Sequence, residues 1–344
     1  MSTAPDILKQ LLGGQPLTEA QARQTFEQVL SGEWNDAQIG AMLALIAARP
    51  GGPTVDELVG GAKAMRSHVT PVALPPGATG RLLDTCGTGG APKAFNVSTI
   101  AAIVTVATAP GQVRIAKHGS TSRTGRGSAE LMQALGVNVA ATPETQSHCL
   151  ETVGLCFSFA IHHHPAMKHA APARKALAFP TIFNLLGPLT NPAGAPRQVM
   201  GTYSRDLALK VAHTLARLGV EKALVVTSND GLDELTTTDT NIIHTVEHGA
   251  VSTRVLDAVH IGLPRSTFAD ITVASLDEAA ALARSILRGT TGPARDMVLL
   301  NAAAALIAAD VAPDFRTGLS LAAGAIDSGA AAATLDALVA ESNR

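Results

Sequence analysis

The segment DTCGTGGAPKAFNVST, residues 84–99, places a glycine cluster between two apolar stretches. The cluster Gly87-Thr88-Gly89-Gly90 tolerates positive φ and lets backbone amides approach a ligand closely. The Asn and the Ser-Thr pair beyond it precede a long apolar run, which is typical of the start of a helix. A helix that begins there directs N–H donors and a partial positive charge at the loop. The segment therefore predicts a strand, a phosphate-binding loop and a helix, in that order.

From this segment onward, short apolar runs alternate with helix-like segments rich in Ala and Leu. Such alternation is typical of βαβ units, which form a mostly parallel sheet with helices packed on it. We expect strands at RLLDTC (81–86), VRIAKHG (113–119), VNVAA (137–141), LCFSFA (155–160), RQVMGTYS (197–204) and KALVVTS (222–228).

Polar loops follow three of these strands, at the ends where open α/β sheets bind their ligands. They are the glycine cluster, the KHG triplet Lys117–Gly119 and SNDGLDEL, Ser228–Leu235. Each alone has a simpler interpretation, because GTGG is more often an ordinary turn, KHG a solvated loop and DGLDE an exposed acidic turn. Their occurrence together at strand ends makes coincidence the poorer explanation. We expect the three loops to converge on one crevice.

The first seventy residues carry helical patterns and no strand pattern. Thr18, Asn35 and Thr54 each stand at an expected N-cap, and Gln21 completes a capping box with Thr18. The Pro/Gly-rich stretch VTPVALPPGATG (69–80) then interrupts the pattern, as a linker between domains would. We therefore predict a helical domain over 1–72, a linker over 73–80 and an α/β domain over 81–344.

Composition and charge narrow the classes of partner. Of the 344 residues, 46% are hydrophobic, and 26 basic against 28 acidic residues leave a net charge of -2. No overall basic field then recruits nucleic acid or an anionic membrane. Cys86, Cys149 and Cys156 lack the spacing of metal ligands, and no leader or membrane-spanning apolar run is apparent. We expect a cytoplasmic protein with reduced thiols that binds neither nucleic acid nor membranes.

The motifs together resemble those of the anthranilate phosphoribosyltransferases, in the glycosyltransferase family 3 group that also includes pyrimidine nucleoside phosphorylases. The resemblance covers nearly the whole chain and implies an α/β fold of the nucleoside phosphorylase/phosphoribosyltransferase type, with a small all-helical N-terminal domain. The segments NLLGPLTNP and DGLDE favour the transferase branch. The matching stretches are AQIGAMLALIAARPGG (37–52), GAKAMR (61–66), GTGG (87–90), FNVST (95–99), KHG (117–119), HHHPAMK (162–168), TIFNLLGPLTNP (181–192), LGVEKALVV (218–226) and DGLDEL (230–235).

Enzymes of this family join the amine of anthranilate to C1 of phosphoribosyl pyrophosphate and release pyrophosphate, in tryptophan biosynthesis. The arylamine is already nucleophilic, so we assign no residue as a general acid or base. The leaving pyrophosphate calls for Mg²⁺ and oriented amides. The resemblance also implies a homodimer paired through the N-terminal helices, which would form part of the cleft.

The site residues implied by the resemblance fall into three sets. Those expected to contact phosphoribosyl pyrophosphate are Gly87, Thr88, Gly89, Gly90, Asn96, Ser98, Thr99 and Lys117. Those expected to bind Mg²⁺ are Ser98, Asp233 and Glu234. Those expected around anthranilate are Gly87, His118, Ser120, His164 and Arg174. The planar guanidinium of Arg174 matches the anthranilate carboxylate.

Two loops depart from the family pattern. Ala91 stands where the family's glycine loop has Asp, and Ser120 stands where the family's KHG is followed by Asn. A loop that lacks a carboxylate and carries cations suggests that Arg123 or Arg126 grips the phosphates, unless both are solvated. Two other functions stay open. One is a paralogue that uses another carboxylate-bearing acceptor, and the other is a non-catalytic nucleic-acid-binding homologue, which the net charge disfavours.

Overall fold

The computed structural model describes residues 3–74, 80–89, 94–122 and 125–344. Gly90, Ala91 and Arg123, all singled out above, lie outside the described residues. The same holds for 75–79 of the proposed linker.

In the described part of the chain, four helices precede the first strand. The sequence predicted the last three of them and their N-caps, whereas the first helix was not singled out. Thr18 Oγ1 accepts a hydrogen bond from the Gln21 backbone N–H, and the Gln21 side chain accepts one from the Thr18 N–H. Asn35 and Thr54 cap their helices in the same way. The four helices are α1 (Ala4–Leu12), α2 (Glu19–Leu30), α3 (Asp36–Ala48) and α4 (Val55–Ser67).

The described strands form one mostly parallel sheet of seven, which confirms the predicted fold class. The strands are β1 (Arg81–Gly87), β2 (Val113–Gly119), β3 (Leu155–Phe159), β4 (Arg197–Gly201), β5 (Lys222–Ser228), β6 (Asn241–Glu247) and β7 (Ala250–Leu256). Their order is β3-β2-β1-β4-β5-β6-β7. The first five strands pair in parallel, whereas β6 and β7 are antiparallel additions. The carboxyl ends of β1, β4 and β5 therefore lie side by side.

The remaining helices cover both faces of this sheet. They are α5 (Val97–Thr108), α6 (Ser128–Ala134), α7 (Pro143–Thr152), α8 (Ala160–His163), α9 (Ala171–Leu177), α10 (Ile182–Leu186), α11 (Arg205–Arg217), α12 (Leu276–Leu287), α13 (Pro293–Ala308), α14 (Phe315–Asp327) and α15 (Ala330–Ser342). Short 3₁₀ turns occur at Pro165–His169, Ala258–Ile261 and Phe268–Ile271. In the described part of the chain, no helix combines the length and apolar character that crossing a bilayer requires.

Two apolar cores lie on the two faces of the sheet. Along β5, Leu224 and Val226 belong to one core and Ala223 and Val225 to the other, as the alternation of side chains in a strand requires. The first core contains α5 and α13, and the second contains the N-terminal helices with α10 and α11. The N-terminal helices thus share a continuous core with the sheet, which fixes them beside the strand ends.

The strand prediction at VNVAA was wrong. Residues 137–141 form a loop between α6 and α7, in which Asn138 Oδ1 accepts a hydrogen bond from the Ala140 N–H at 3.0 Å. An Asn side chain that bonds the backbone two residues on favours a turn over a strand ladder. The antiparallel strands β6 and β7 were not predicted from the sequence.

Candidate functional site

The loop after β1 and the acidic loop after β5 meet at the carboxyl ends of the strands. The backbone N–H of Gly89 donates to Asp233 Oδ2 at 3.0 Å. Gly89 has φ +65°, a conformation that residues with a side chain rarely adopt. The glycine loop therefore presents its amide to the carboxylate because of its own backbone geometry.

Two other glycines make room for the acidic loop. A Cβ at Gly201, the last residue of β4, would lie 1.5 Å from the backbone oxygen of Asp233. A Cβ at Gly87 would lie 2.6 Å from Asp233 Oδ2. Any larger residue at Gly201 would displace backbone, so the loop reaches the sheet only because this strand ends in glycine. Gly201 was not predicted, although a glycine at a strand end is a signal of close approach.

The N-terminus of α5 faces the acidic pair. The Ser98 backbone N–H donates to Glu234 Oε1 at 3.3 Å, which places a carboxylate at the positive end of the helix. The Asn96 side chain donates to the Arg126 carbonyl at 3.1 Å and ties this helix start to the loop after β2. The hydroxyl of Thr99 is buried and has no hydrogen-bond partner among the described residues.

Lys117 extends from β2 beneath the same helix start. Its side chain is only 1% exposed, and Nζ donates to the Thr85 carbonyl at 2.5 Å and to Ser98 Oγ at 3.2 Å. Burial lowers the pKa of Lys117, while the negative charges of Asp84 and Glu234 oppose that shift. Lys117 thus joins β1, β2 and α5 and brings a positive charge to the floor of the crevice.

Ionisation of the carboxylates in the crevice is disfavoured, and a bound cation would favour it. Burial, and then the neighbouring Asp233, raise the pKa of Glu234 well above its usual range. Burial also raises the pKa of Asp84 to about 6, and Asp84 Oδ1 accepts from the His118 N–H at 3.1 Å. In the ranges that the structure describes, no cluster of three or more His, Cys, Asp or Glu could hold a metal by itself. Two carboxylates that share their metal with substrate phosphates are the usual protein contribution to a Mg²⁺ site.

Two histidines form a second group next to Lys117. The Nε2 atoms of His118 and His164 are 3.2 Å apart, and their ring centroids are separated by 5.0 Å. Burial lowers the pKa of His118 to about 3 and that of His164 to about 4. Both rings are therefore neutral at pH 7, with their planes tilted by 50° to each other, and they add no charge to the space beside them. The resemblance implied that these two residues lie together, and the structure places them in contact.

The other predicted residues of this group lie on short, partly exposed segments. Arg174 lies on α9, with its guanidinium over the Phe183 ring at 5.3 Å from the ring centroid. Ser120 is exposed directly after β2, and its carbonyl accepts from the Ala129 N–H at 3.3 Å. The guanidinium of Arg126 donates to the Val273 carbonyl. In this structure Arg126 therefore makes a contact with the segment before α12.

Comparisons with known proteins give matches that span nearly the whole chain. The model of the glycosyl transferase family a/b domain matches residues 79–332, and that of the helical bundle domain matches residues 5–69. Anthranilate phosphoribosyltransferase of Moorella thermoacetica is 45% identical over 97% of this chain and 96% of its own length. The protein of the same name from Methylobacterium nodulans is 43% identical over 100% of both chains.

Solved structures of the same name share the fold. The crystal structure of anthranilate phosphoribosyltransferase from Thermus thermophilus has a TM-score of 0.89 at 37% identity, and the match covers 98% of this chain and 100% of that one. The Saccharomyces cerevisiae protein, solved in complex with phosphoribosyl pyrophosphate and Mg, has a TM-score of 0.87 at 25% identity. That match covers 99% of this chain and 98% of the yeast chain.

Proposed function

This chain belongs to the anthranilate phosphoribosyltransferases of the glycosyl transferase family, and from that premise we propose that it transfers phosphoribose to anthranilate. The substrates are 5-phosphoribosyl 1-pyrophosphate and anthranilate, and the products are N-(5-phosphoribosyl)anthranilate and pyrophosphate, in tryptophan biosynthesis. The observation that carries the proposal is the junction of the Gly89 amide, the start of α5 and the acidic pair Asp233-Glu234 in one crevice.

The reaction breaks the bond from C1 of the ribose to pyrophosphate oxygen and forms a bond from C1 to the anthranilate nitrogen. Negative charge accumulates on the leaving pyrophosphate, so the site must stabilise that charge. The glycine loop, the first turn of α5 and Lys117 supply oriented amides and one positive charge at the strand ends. The buried hydroxyls of Thr88 and Thr99, which lack partners among the described residues, are further donors for phosphate or ribose.

Mg²⁺ fits the acidic pair. Asp233 and Glu234 offer hard oxygens in a crevice where their mutual repulsion disfavours the doubly ionised state, and Ser98 lies at the same place. When bound, Mg²⁺ supplies positive charge to the phosphates. The yeast relative solved with phosphoribosyl pyrophosphate and Mg supports this cofactor. Asn96 and Arg126 are further candidate contacts to the phosphoribosyl group.

The acceptor is proposed to bind between the histidine pair and Arg174. His118 and His164 are neutral at pH 7, so they would contact the aromatic ring without protonating the amine. Arg174 would bind the carboxylate, and Ser120 would lie at the edge of the acceptor. The nucleophile needs no general base, because an arylamine is neutral at pH 7; its proton leaves after the new bond has formed.

One alternative acceptor remains a specific candidate. Ser120 stands where the family pattern has Asn, and it is exposed at the start of the loop after β2. A shorter side chain there changes what the acceptor meets. An aromatic acid other than anthranilate, with an amine and a carboxylate, is therefore the second candidate substrate.

We propose further that the chain forms a cytoplasmic homodimer through its N-terminal helices. On α1, Leu12 is 74% exposed, which leaves an apolar side chain for a partner to cover. The thiols of Cys86, Cys149 and Cys156 are free, which suits a reducing compartment. Light scattering of the purified protein would measure the mass of the assembly directly.

The experiment that tests the proposed function follows anthranilate fluorescence after addition of phosphoribosyl pyrophosphate and Mg²⁺. We expect loss of anthranilate fluorescence that depends on both additions. A parallel series with other aminobenzoates, such as 3-aminobenzoate and 4-aminobenzoate, tests the alternative acceptor. A folded protein that consumes none of the acceptors would contradict the proposed function, and preferred use of another acceptor would replace anthranilate.

A further inference from the structure

A buried asparagine on α13 holds the backbone directly after the acidic pair. Asn301 is 6% exposed, and its Oδ1 accepts from the Leu235 N–H at 3.1 Å. Its Nδ2 donates to the Leu235 carbonyl at 2.7 Å and to the Met297 carbonyl at 2.9 Å. One side-chain amide thus satisfies both backbone groups of a residue that is adjacent to Glu234.

A second asparagine does the same for the next residue. Asn241, the first residue of β6, is fully buried, and its Oδ1 accepts from the Thr236 N–H at 2.8 Å. Its Nδ2 donates to the Thr236 carbonyl at 2.9 Å and to the Leu256 carbonyl at 3.3 Å. Asn301 therefore bonds both the N–H and the carbonyl of Leu235, and Asn241 bonds both those groups of Thr236.

The acidic loop is consequently held from three directions. The Asp233 carbonyl packs on Gly201 of β4, Asn301 binds the chain from α13 and Asn241 binds it from β6. Only Asn and Gln end in a neutral amide that offers a donor and an acceptor side by side, which is what one backbone residue requires. An Asp in either place would keep the acceptor and lose the donor.

The composition of α13 indicates that Asn301 serves to bind the acidic loop and not to pack the helix. Every other buried residue of this helix from Met297 to Ala308 is apolar. Asn301 also lines the same cavity as Ser98, Asp233 and Glu234. An apolar residue would suit the packing of the helix alone, whereas the asparagine reaches across to the segment that carries the carboxylates.

From these contacts we infer that Asn301 and Asn241 are positioning residues, which hold Asp233 and Glu234 in the geometry that binds a divalent cation. The inference rests on the proposed function, because it takes the acidic pair as the metal site. Two neighbouring carboxylates repel each other and would separate into solvent if their loop were free. The asparagines keep the pair together before the cation arrives, so less ordering is needed on binding.

The test measures Mn²⁺ binding to the protein in the presence of phosphoribosyl pyrophosphate. The readout is the loss of the free-ion electron paramagnetic resonance signal beyond the loss that the same concentration of phosphoribosyl pyrophosphate causes alone. The variants are Asn301→Ser and Asn241→Ser, whose short side chains cannot bond both backbone groups. We expect each to weaken Mn²⁺ binding by about tenfold or more. We also expect a higher Mg²⁺ requirement for activity, with the KM for anthranilate unchanged.

The matched control is Leu338→Ala, which removes buried packing from the core on the α13 face and lies on α15, a helix that packs on α5 and α7. It should lose thermal stability and keep the Mn²⁺ affinity of the parent. Asparagine variants that lose stability but bind Mn²⁺ as the parent does would overturn the inference. If Asn301→Ser does not fold, Asn241→Ser decides the matter by the same criterion.

A third variant separates this inference from the proposed function. Asp233→Asn should abolish most Mn²⁺ binding if the acidic pair is the metal site. Full Mn²⁺ binding by Asp233→Asn would refute the metal site itself, and the positioning role would fail with it. Loss of binding in Asp233→Asn together with parental binding in both asparagine variants would refute only the positioning role.

Discussion

The two sides of the crevice are built differently. On the proposed phosphate side, the backbone amides of Gly89 and Ser98, after a strand end and at a helix start, donate to the side chains of Asp233 and Glu234 respectively. On the proposed acceptor side, His118 and His164 meet through their side chains, and Arg174 lies on the short helix α9. A site fixed by backbone tolerates few substitutions, whereas a site lined by side chains can change its ligand by exchanging them. We therefore expect damage on the phosphate side to stop the reaction and damage on the acceptor side to alter recognition.

The largest effect is expected from the double variant Asp233→Ala, Glu234→Ala. Pyrophosphate would then leave without its metal, so turnover should fall by about 10²–10³-fold while the protein stays folded. Steady-state rates at saturating Mg²⁺, with circular dichroism as a check of folding, measure this. Asp336→Ala on α15 is the control and should keep parental activity. Rates in the double variant comparable to those of the parent would contradict the placement of the metal on the phosphate side.

The next effect is expected from Gly201→Ala. The added Cβ would lie 1.5 Å from the Asp233 carbonyl, so the acidic loop must move away from the glycine loop. A displacement of about 1 Å near reacting groups can reduce the rate by about a hundredfold. Gly40→Ala on α3 is the control, because a Cβ there meets nothing within 4 Å. A kcat in Gly201→Ala equal to that of the parent would mean that the acidic loop can shift without loss of activity, against the expectation for the phosphate side.

On the acceptor side, Arg174→Ala should raise the KM for anthranilate by about tenfold or more and leave the KM for phosphoribosyl pyrophosphate nearly unchanged, because a charged hydrogen bond is lost. Lys175→Ala, which changes the exposed neighbour on the same helix, is the control and should behave like the parent. Equal increases in both constants would place Arg174 outside the acceptor side.

The smallest expected effect concerns the contribution of the histidine pair to the stability of the protein. Burial lowers the folded-state pKa of His118 to about 3 and of His164 to about 4, below the usual value of 6.5. As the pH falls, the histidines of the unfolded chain therefore become protonated before those of the folded protein. The contribution of the pair to the free energy of unfolding is complete above pH 6.5 and falls as the pH drops toward 4. Burial raises the pKa of Asp84 to about 6, which gives the opposite trend.

Urea unfolding of the parent and of His118→Gln, His164→Gln across pH 4.5–7 isolates the histidine contribution, because the other groups titrate in both proteins. The double variant should lose stability less steeply on acidification. Parallel curves for the two proteins would mean that the histidines titrate alike in the folded and unfolded chains.

The sequence predicted those features that local patterns encode. The caps at Thr18, Asn35 and Thr54, and the strand and helix around the glycine loop, depend on residues a few positions apart. The loop that carries the acidic pair, and the KHG triplet that contains Lys117, were singled out because polar residues follow apolar strand patterns there, while the roles of these residues came from the resemblance. The site roles assigned from the resemblance, including that of Arg174, stay predictions.

Other features depend on distant parts of the chain and could not be read locally. Asn301 bonds Leu235, which is 66 positions away, and neither residue carries a local signal of that contact. Gly201 has a role only because the backbone of Asp233 packs against it. The strands β6 and β7 were missed because no separate turn motif between apolar runs was recognised there. VNVAA was mistaken for a strand because the turn formed by Asn138 was not recognised.

The most direct test of the central claim is a crystal structure of the protein with phosphoribosyl pyrophosphate and Mn²⁺, with the metal located by anomalous diffraction. We expect Mn²⁺ at Asp233 and Glu234, pyrophosphate against the glycine loop and the start of α5, and no metal beside His118 and His164. Pyrophosphate bound at the histidine pair, or Mn²⁺ located away from the acidic loop, would contradict the division of the crevice into a phosphate side and an acceptor side.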